Sequence, residues 1–248
     1  NENFFPRYPL ENPKKRHLYL PKFQKKRQRI TFEVDGENLN VELATIAWLK
    51  KINRPAMYTE NHGWRALLHW LFLDIHFEPI EGMLPFLNMN HPLDYYLGSS
   101  YFERRRFLFE NRLSLFHEVS KNDDIFFAKI EDHFQEMFQK YPTHLTHRKE
   151  ALFILQSFSF PQLIPLLRYL LQHPNQLRGL PDLLVQRQNR DTCSNPPLNI
   201  FPPRIPTNTS FFVEIKCRDS VSTPQFFWHH KLIELGFVVE IWNLHEMN

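Results

Sequence analysis

The spacing of apolar residues divides the chain into segments of different character. Residues 29–42 alternate apolar and polar positions around Asp35-Gly36, a dipeptide that accepts the positive φ angles of a tight turn, so a β-hairpin is expected. From about residue 41 the apolar residues recur three or four positions apart, which is the spacing of the buried face of a helix. Helices are predicted at residues 44–51, 59–77, 100–119, 123–141, 148–157 and 161–172.

The C-terminal part of the chain predicts two strands, a helix and a third strand. Residues 180–186 and 211–216 are apolar runs of strand length, residues 222–235 have helical spacing, and residues 237–242 are again strand-like. The predicted helix has good boundaries, because Ser222 or Thr223 can cap it, Pro224 suits its first turn and Gly236 can follow it in the left-handed conformation. Between the two strands, residues 188–210 are rich in Pro, Asn, Ser and Thr and predict a flexible insertion.

Composition narrows the class of protein. The chain has 248 residues, of which 42% are hydrophobic, so it can bury a core, and its two cysteines exclude a disulfide-stabilised scaffold. The sequence has neither an apolar run of about 20 residues nor a secretory signal, so we expect no membrane partner and a location in the cytoplasm or nucleoid of a bacterium, or the nucleus of a eukaryote. With six glycines and no glycine-rich phosphate loop, no nucleotide cofactor is expected. The first residue is Asn1 rather than Met, which is compatible with the sequence being a fragment of a longer protein.

The net charge of +3 is small, but basic residues are concentrated near the N-terminus. Residues 14–29 hold eight Lys and Arg residues and no acidic residue, with Tyr19 and Phe23 between them. Such a run can pair with phosphates and release counterions, as in nucleic-acid binding, or it can be a solvated surface arm. The segment by itself does not decide between the two.

Three residues at the ends of the C-terminal strands predict a catalytic site. Asp182 begins the first strand, and Glu214 and Lys216 end the second, where alternate residues project to the same side and Ile215 turns into the core. Paired carboxylates suit hard cations such as Mg²⁺ or Mn²⁺, to which the backbone carbonyl of Ile215 would add an oxygen. With Lys216 to orient a water or neutralise charge, this pattern predicts metal-dependent phosphodiester hydrolysis; an exposed salt bridge is the alternative.

The residues around this pattern also resemble a known family. The segments that carry the resemblance are 178–185 (RGLPDLLV), 212–216 (FVEIK), Gln225, 235–240 (LGFVVE), 58–65 (YTENHGWR), 71–75 (LFLDI) and 92–94 (PLD). The first four resemble the virus-type replication-repair nuclease (VRR-NUC) domain of the PD-(D/E)xK superfamily. The others resemble the helical lead-in of the Fanconi-anaemia-associated nuclease family, so that the resemblance extends over about residues 30–246.

The resemblance implies further site residues and a substrate. Glu60 matches the glutamate that completes the family's metal site, whereas its position alone indicates an acid that complements the dipole at a helix start. The family implies a structure-selective DNA nuclease that cuts 5′ flaps and degrades DNA from 5′ ends with Mg²⁺ or Mn²⁺ in interstrand-crosslink repair. The chain departs from the family at Pro224, where a lysine is usual, and in its long Pro-rich insertion.

Other candidates for substrate contact are polar side chains near these motifs. Gln225 either orients a substrate phosphate or is an exposed first-turn residue, and Arg65 and Arg178 are expected to contact the DNA backbone. Arg104, Arg105 and Arg106 are equally compatible with DNA contact and with surface salt bridges. His229 and His230 are adjacent on the predicted helix, so their side chains point in different directions.

These observations predict an α+β or α/β fold with a PD-(D/E)xK core, a mixed β-sheet with flanking helices, preceded by a mostly helical region. The expected segments are a basic arm (1–29), a hairpin and connecting helix (30–57), a helical region that donates Glu60 (58–173) and the VRR-NUC core (174–248). Two alternatives to a repair nuclease are a Holliday-junction resolvase and a DNA-binding module without catalytic activity.

Overall fold

A mixed sheet of five strands forms the centre of the protein, whose structure is a computed structural model. In spatial order the strands are β1 (Lys14–Leu20), β8 (Val239–Glu246), β7 (Ser210–Lys216), β6 (Leu183–Gln186) and β5 (Ala56–Tyr58). β8 pairs in parallel with β1 and β7, whereas β5, β6 and β7 pair antiparallel. The described residues are 13–20, 23–26, 29–81, 99–141, 147–174, 176–186, 210–217 and 220–246.

A second, antiparallel sheet contains the predicted hairpin. Its strands are β2 (Phe23–Lys26), β3 (Arg29–Val34) and β4 (Glu37–Asn40). Asp35 and Gly36 connect β3 to β4 with φ angles of 52° and 83°, as the Asp-Gly dipeptide predicts for a tight hairpin turn.

The predicted helices are present with small shifts at their ends. They are α1 (Val41–Lys51), α2 (Asn61–His76), α3 (Ser99–Val119), α4 (Asp123–Lys140), α5 (Arg148–Ser157), α6 (Phe160–Gln172) and α7 (Thr223–Glu234). The side chains of Asn40, Asn122 and Ser159 accept hydrogen bonds at the starts of α1, α4 and α6. None of the described helices combines the length and apolar character that a membrane span requires.

The central sheet separates two hydrophobic clusters. On one face, Phe212 of β7 and Leu184 of β6 join a large cluster with residues of α2 to α7. On the other face, Val213 and Ile215 join a smaller cluster with residues of α1 and the hairpin. Because side chains alternate along a strand, Glu214 lies on the same face as Phe212, toward the helices.

Two edge strands of the central sheet come from outside the predicted nuclease core at 174–248. Lys14–Leu20, part of the predicted basic arm at residues 1–29, forms β1 and pairs through its backbone with β8. β5 has only three residues, too few to show an alternating pattern. The predicted insertion at residues 188–210 lies, except for Ser210, outside the described residues.

Candidate active site

Asp182 is fixed by backbone contacts on two sides. It directly precedes β6, and its carbonyl oxygen accepts a hydrogen bond from the backbone N–H of Thr59 at 3.0 Å. Its carboxylate accepts a hydrogen bond from the backbone N–H of Ile215 at 2.9 Å. Asp182 therefore connects the segment before α2 to the end of β7, where Glu214 and Lys216 lie.

Glu214 and Lys216 form a buried ion pair on β7. Lys216 Nζ lies 2.9 Å from Glu214 Oε1, and the two side chains are 10% and 0% exposed. The two-residue period of the strand places both side chains on one face, as the sequence predicts. Because a buried charge without a partner is strongly destabilising, removing either side chain should destabilise the fold.

Gln225 joins this pair from the first turn of α7. Its Nε2 donates to Glu214 Oε1 at 2.5 Å, and its Oε1 accepts a hydrogen bond from Lys216 Nζ at 2.8 Å. The same Oε1 accepts from the backbone N–H and the hydroxyl of Ser222, both at 3.0 Å, in a capping box. Gln225 thus couples the start of α7 to both side chains of the ion pair.

Gly179 explains how α7 comes close to the loop before Asp182. A Cβ atom at Gly179 would lie 2.7 Å from the backbone carbon of Pro224 and 2.9 Å from the backbone nitrogen of Gln225. Gly179 also has a φ of 94°, a conformation that residues with a Cβ rarely adopt. This position therefore requires glycine if the loop and the start of α7 are to pack together.

The site has an excess of acidic groups. Burial, and next the neighbouring charge of Glu214, raise the pKa of Asp182 to about 8, against the opposing hydrogen bond from Ile215. Glu42, in the first turn of α1, also raises the pKa of Asp182. Burial, and then the hydrogen bond to Glu60, raise the pKa of Tyr58 above its usual value, and the charges of Asp182 and Glu42 act in the same direction.

Glu60 is close to this acidic region but is held by its own neighbours. It occupies the N-cap position of α2, and its carboxylate accepts hydrogen bonds from the Tyr58 hydroxyl and from Asn61. Its side chain makes no capping hydrogen bond to α2, so the helix-start role that its position suggests is not realised by hydrogen bonding. Within the described ranges, no three His, Cys, Asp or Glu side chains are close enough together to hold one metal ion.

The donor set at Asp182 and Glu214 nevertheless fits a divalent cation. Half-buried Asp182 lies beside buried Glu214; desolvation, and next the charge of Glu214, raise the pKa of Asp182, and a cation would relieve the repulsion between the two carboxylates. Among the described residues, Glu214 Oε2 has no hydrogen-bond partner although it is buried. Oxygen donors of this kind are the ligands that Mg²⁺ and Mn²⁺ prefer.

The predicted arginines have different environments. Arg65 on α2 and Arg178 before Gly179 are exposed, so their guanidinium groups are accessible. Arg105 is only 2% exposed and donates to the backbone carbonyls of Ile75 and Glu78, so it stabilises the helical layer. Arg106 is exposed and pairs with Glu103.

Two residues at the site are absent from the sequence-based candidates. Glu42 affects the site only because of how α1 packs, and no local sequence pattern predicts this effect. His229 Nε2 lies 3.6 Å from Glu214 Oε2, and the two side chains are 1% and 0% exposed. His229 follows Gln225 by four residues, so the two share a face of α7, and this spacing is the clue that could have identified it.

The mixed sheet brings Asp182, Glu214 and Lys216 together where the start of β6 lies beside the end of β7. Over 98% of its length the chain is similar to the crystal structure of paFAN1 bound to DNA with a 2-nucleotide 5′ flap and a gap, with a TM-score of 0.70 and 17% sequence identity. The structure of paFAN1 with a 1-nucleotide 5′ flap and a gap gives a TM-score of 0.69, 18% identity and the same 98% coverage. The resemblance inferred from the sequence is therefore confirmed at the level of the fold.

The similarity covers only part of paFAN1. The chain corresponds to 39% of the length of that protein in both structures. The sequence matches no protein-family model and shows no match to a curated protein.

Proposed function

We propose that this chain is the catalytic part of a divalent-metal-dependent DNA nuclease. The observation that carries the proposal is the buried cluster at the end of β7, in which Lys216 and Gln225 both contact Glu214 while Asp182 is held against Ile215. Surface salt bridges do not have this arrangement, because they are solvated and contribute little to stability. The cluster supports a catalytic role over the alternative of an exposed salt bridge.

Asp182, Glu214, the backbone carbonyl of Ile215 and Glu60 would hold Mg²⁺ or Mn²⁺. A bound cation of this kind polarises a phosphoryl oxygen and lowers the pKa of a water that it binds. Desolvation, and next the charge of Glu214, raise the pKa of Asp182 to about 8, so a cation held by this carboxylate at neutral pH would have to displace a proton. Glu60 would have to exchange its hydrogen bonds to Tyr58 and Asn61 for the cation.

Lys216 and Gln225 would act on the scissile phosphate. Lys216 supplies the positive charge that neutralises the charge developing on phosphate oxygens during hydrolysis. Gln225 holds Lys216 Nζ at 2.8 Å and so limits the positions that the ammonium group can take. Its amide can also orient a phosphate oxygen when DNA is bound.

The proposed substrate is flapped or branched DNA. paFAN1, which shares this fold over 98% of the present chain, has been crystallised with 5′-flap DNA. Exposed Arg65 and Arg178 would contact the phosphate backbone without reading the base sequence. We accordingly propose 5′-flap endonuclease and 5′-to-3′ exonuclease activity that leaves a 5′-phosphate, in DNA repair such as the repair of interstrand crosslinks.

The test is cleavage of end-labelled 5′-flap, Holliday-junction and linear duplex DNA with Mg²⁺, Mn²⁺ or EDTA. The wild-type chain is compared with Glu214→Gln, which keeps the shape of the side chain and removes its charge. We expect metal-dependent cutting of the flap, and at least about a 10²-fold loss in the variant, because a ligand of the catalytic ion is weakened. Cutting of the junction instead, by a dimeric protein, would support a resolvase, and DNA binding without cutting would support a binding module.

A further inference from the structure

Two buried polar atoms face each other beside the proposed catalytic cluster. His229 Nε2 and Glu214 Oε2 are 3.6 Å apart, on side chains that are 1% and 0% exposed. Neither atom has a hydrogen-bond partner among the described residues. Leaving a buried polar atom unsatisfied costs about 1–3 kcal/mol, so two such atoms in one place need an explanation.

The other oxygen of Glu214 is already engaged. Oε1 accepts a hydrogen bond from Gln225 Nε2 at 2.5 Å and contacts Lys216 Nζ at 2.9 Å. Oε2 is therefore the oxygen that is left to take a new partner. His229 faces it from the same face of α7 that carries Gln225.

We propose that His229 is a positioning residue for Glu214. With its hydrogen on Nε2, the imidazole donates to one lone pair of Oε2, which would leave the other lone pair available for a divalent cation. Closing the distance from 3.6 Å to that of a normal hydrogen bond requires a shift of about 0.7 Å. Together with the hydrogen bond from Gln225 on Oε1, this contact fixes the rotation of the carboxylate. The inference rests on the proposed function, because it concerns how Glu214 presents an oxygen to the metal ion.

Hydrogen bonds to a ligating carboxylate affect how tightly an ion is held. Removal of such an outer partner typically costs about 10–100-fold in metal affinity. In the metal-free chain, by contrast, the unsatisfied imidazole makes no hydrogen bond at Nε2 whose loss would destabilise the fold. Removing it should therefore weaken metal binding without lowering the stability of the metal-free chain.

The adjacent His230 provides a matched control. It lies on the same helix, packs against Phe226 with ring centroids 4.3 Å apart, and is half-buried. Its ring nitrogens have no hydrogen-bond partner among the described residues, like His229 Nε2. The same substitution at both positions thus separates the contact with Glu214 from the general effect of losing a histidine in α7.

The experiment measures Mn²⁺ binding and thermal stability of the full chain. Free Mn²⁺ is followed by electron paramagnetic resonance for the wild type, His229→Leu, His229→Gln and His230→Leu, and melting is followed in EDTA. We expect the Kd for Mn²⁺ to rise about 10-fold or more in His229→Leu, with an unchanged or higher melting temperature in EDTA. His229→Gln, whose amide places a donor near the position of Nε2, should remain within about threefold of the wild type, and so should His230→Leu.

The outcomes separate this inference from the proposed function. If the wild-type chain binds Mn²⁺ and His229→Leu binds it equally well, only the role of His229 is overturned. If His229→Leu melts at a lower temperature in EDTA, and His229→Leu and His229→Gln lose Mn²⁺ affinity equally, then His229 has a structural role and the inference is also overturned. Wild-type chain that binds no Mn²⁺ overturns the proposed metal site and this inference together.

Discussion

The protonation of Asp182 should make the stability of the metal-free protein depend on pH. Burial and the charge of Glu214 raise the pKa of Asp182 to about 8 from a usual value of 3.8. Between these two values the folded chain keeps a proton that the unfolded chain releases. The free energy of unfolding therefore falls as pH rises from about 4 to about 8, by at most about 1.4 kcal/mol per pH unit from this group.

Replacing Asp182 with Asn should remove this dependence. The amide has the shape of the protonated carboxyl group and can still accept the hydrogen bond from the N–H of Ile215. The variant should be about as stable as the wild type near pH 4 and increasingly more stable at higher pH, the difference growing by at most about 4 kcal/mol between about pH 5 and pH 8. The same substitution should abolish metal-dependent cleavage, because it removes a charged ligand of the proposed ion.

Urea denaturation in EDTA at several values between about pH 5 and pH 8 tests this prediction. The difference in unfolding free energy between Asp182→Asn and the wild type is plotted against pH. The reasoning is refuted if this difference stays constant across the range, because Asp182 would then titrate alike in the folded and unfolded chains.

Three further substitutions, one of them with a matched control, have predicted effects. Gly179→Ala should lower the free energy of unfolding by at least about 2 kcal/mol in urea denaturation and should reduce cleavage, because the added Cβ meets the backbone of Pro224. Gly236 also has a positive φ but has open space around it, so Gly236→Ala should cost only about 1 kcal/mol. Equal costs would contradict this. Gln225→Ala should lower the cleavage rate about 10–100-fold while costing only about 1 kcal/mol of stability, and an unchanged rate would exclude Gln225 from the site. Arg112→Ala removes two hydrogen bonds to Asp74, at 2.5 and 3.2 Å, and should lower the free energy of unfolding by about 2 kcal/mol. The cleavage rate per folded molecule should not change. A large effect on this rate would show that the site extends to the helical layer.

The helices could be predicted well because each has its own local pattern. Apolar residues three and four apart mark the buried face of α2, and α5 begins and ends at the predicted residues 148 and 157. The hairpin turn at Asp35-Gly36 was equally local. β1 could not be predicted, because a sequence of KKRHLYL indicates charge rather than burial, and its pairing with β8 depends on the rest of the sheet.

The residues of the candidate site likewise fall into two groups, those that the sequence pattern predicts and those that it does not. Asp182, Glu214 and Lys216 were found because strand alternation and the order of the strands are visible in the sequence, and the structure brings these side chains together. Their catalytic roles remain predictions. Glu42 could not be found from local pattern, because its effect on Asp182 depends on how α1 packs. His229 could have been found from its four-residue spacing to Gln225, but its approach to Glu214 depends on how α7 packs beside β7. Glu60 is a candidate metal ligand only because of the sequence resemblance to the nuclease family.

The most direct test of the central claim compares two properties of Lys216→Ala. Cleavage of a 5′-flap substrate is measured with Mg²⁺ or Mn²⁺, and affinity for the same DNA is measured by fluorescence anisotropy in EDTA. If Lys216 acts on the scissile phosphate, cleavage is lost while affinity stays within about threefold of the wild type, because the proposed backbone contacts come from exposed arginines rather than from one buried lysine. Cleavage that persists in Lys216→Ala, or an equal loss of cleavage and binding, would contradict the proposed catalytic site.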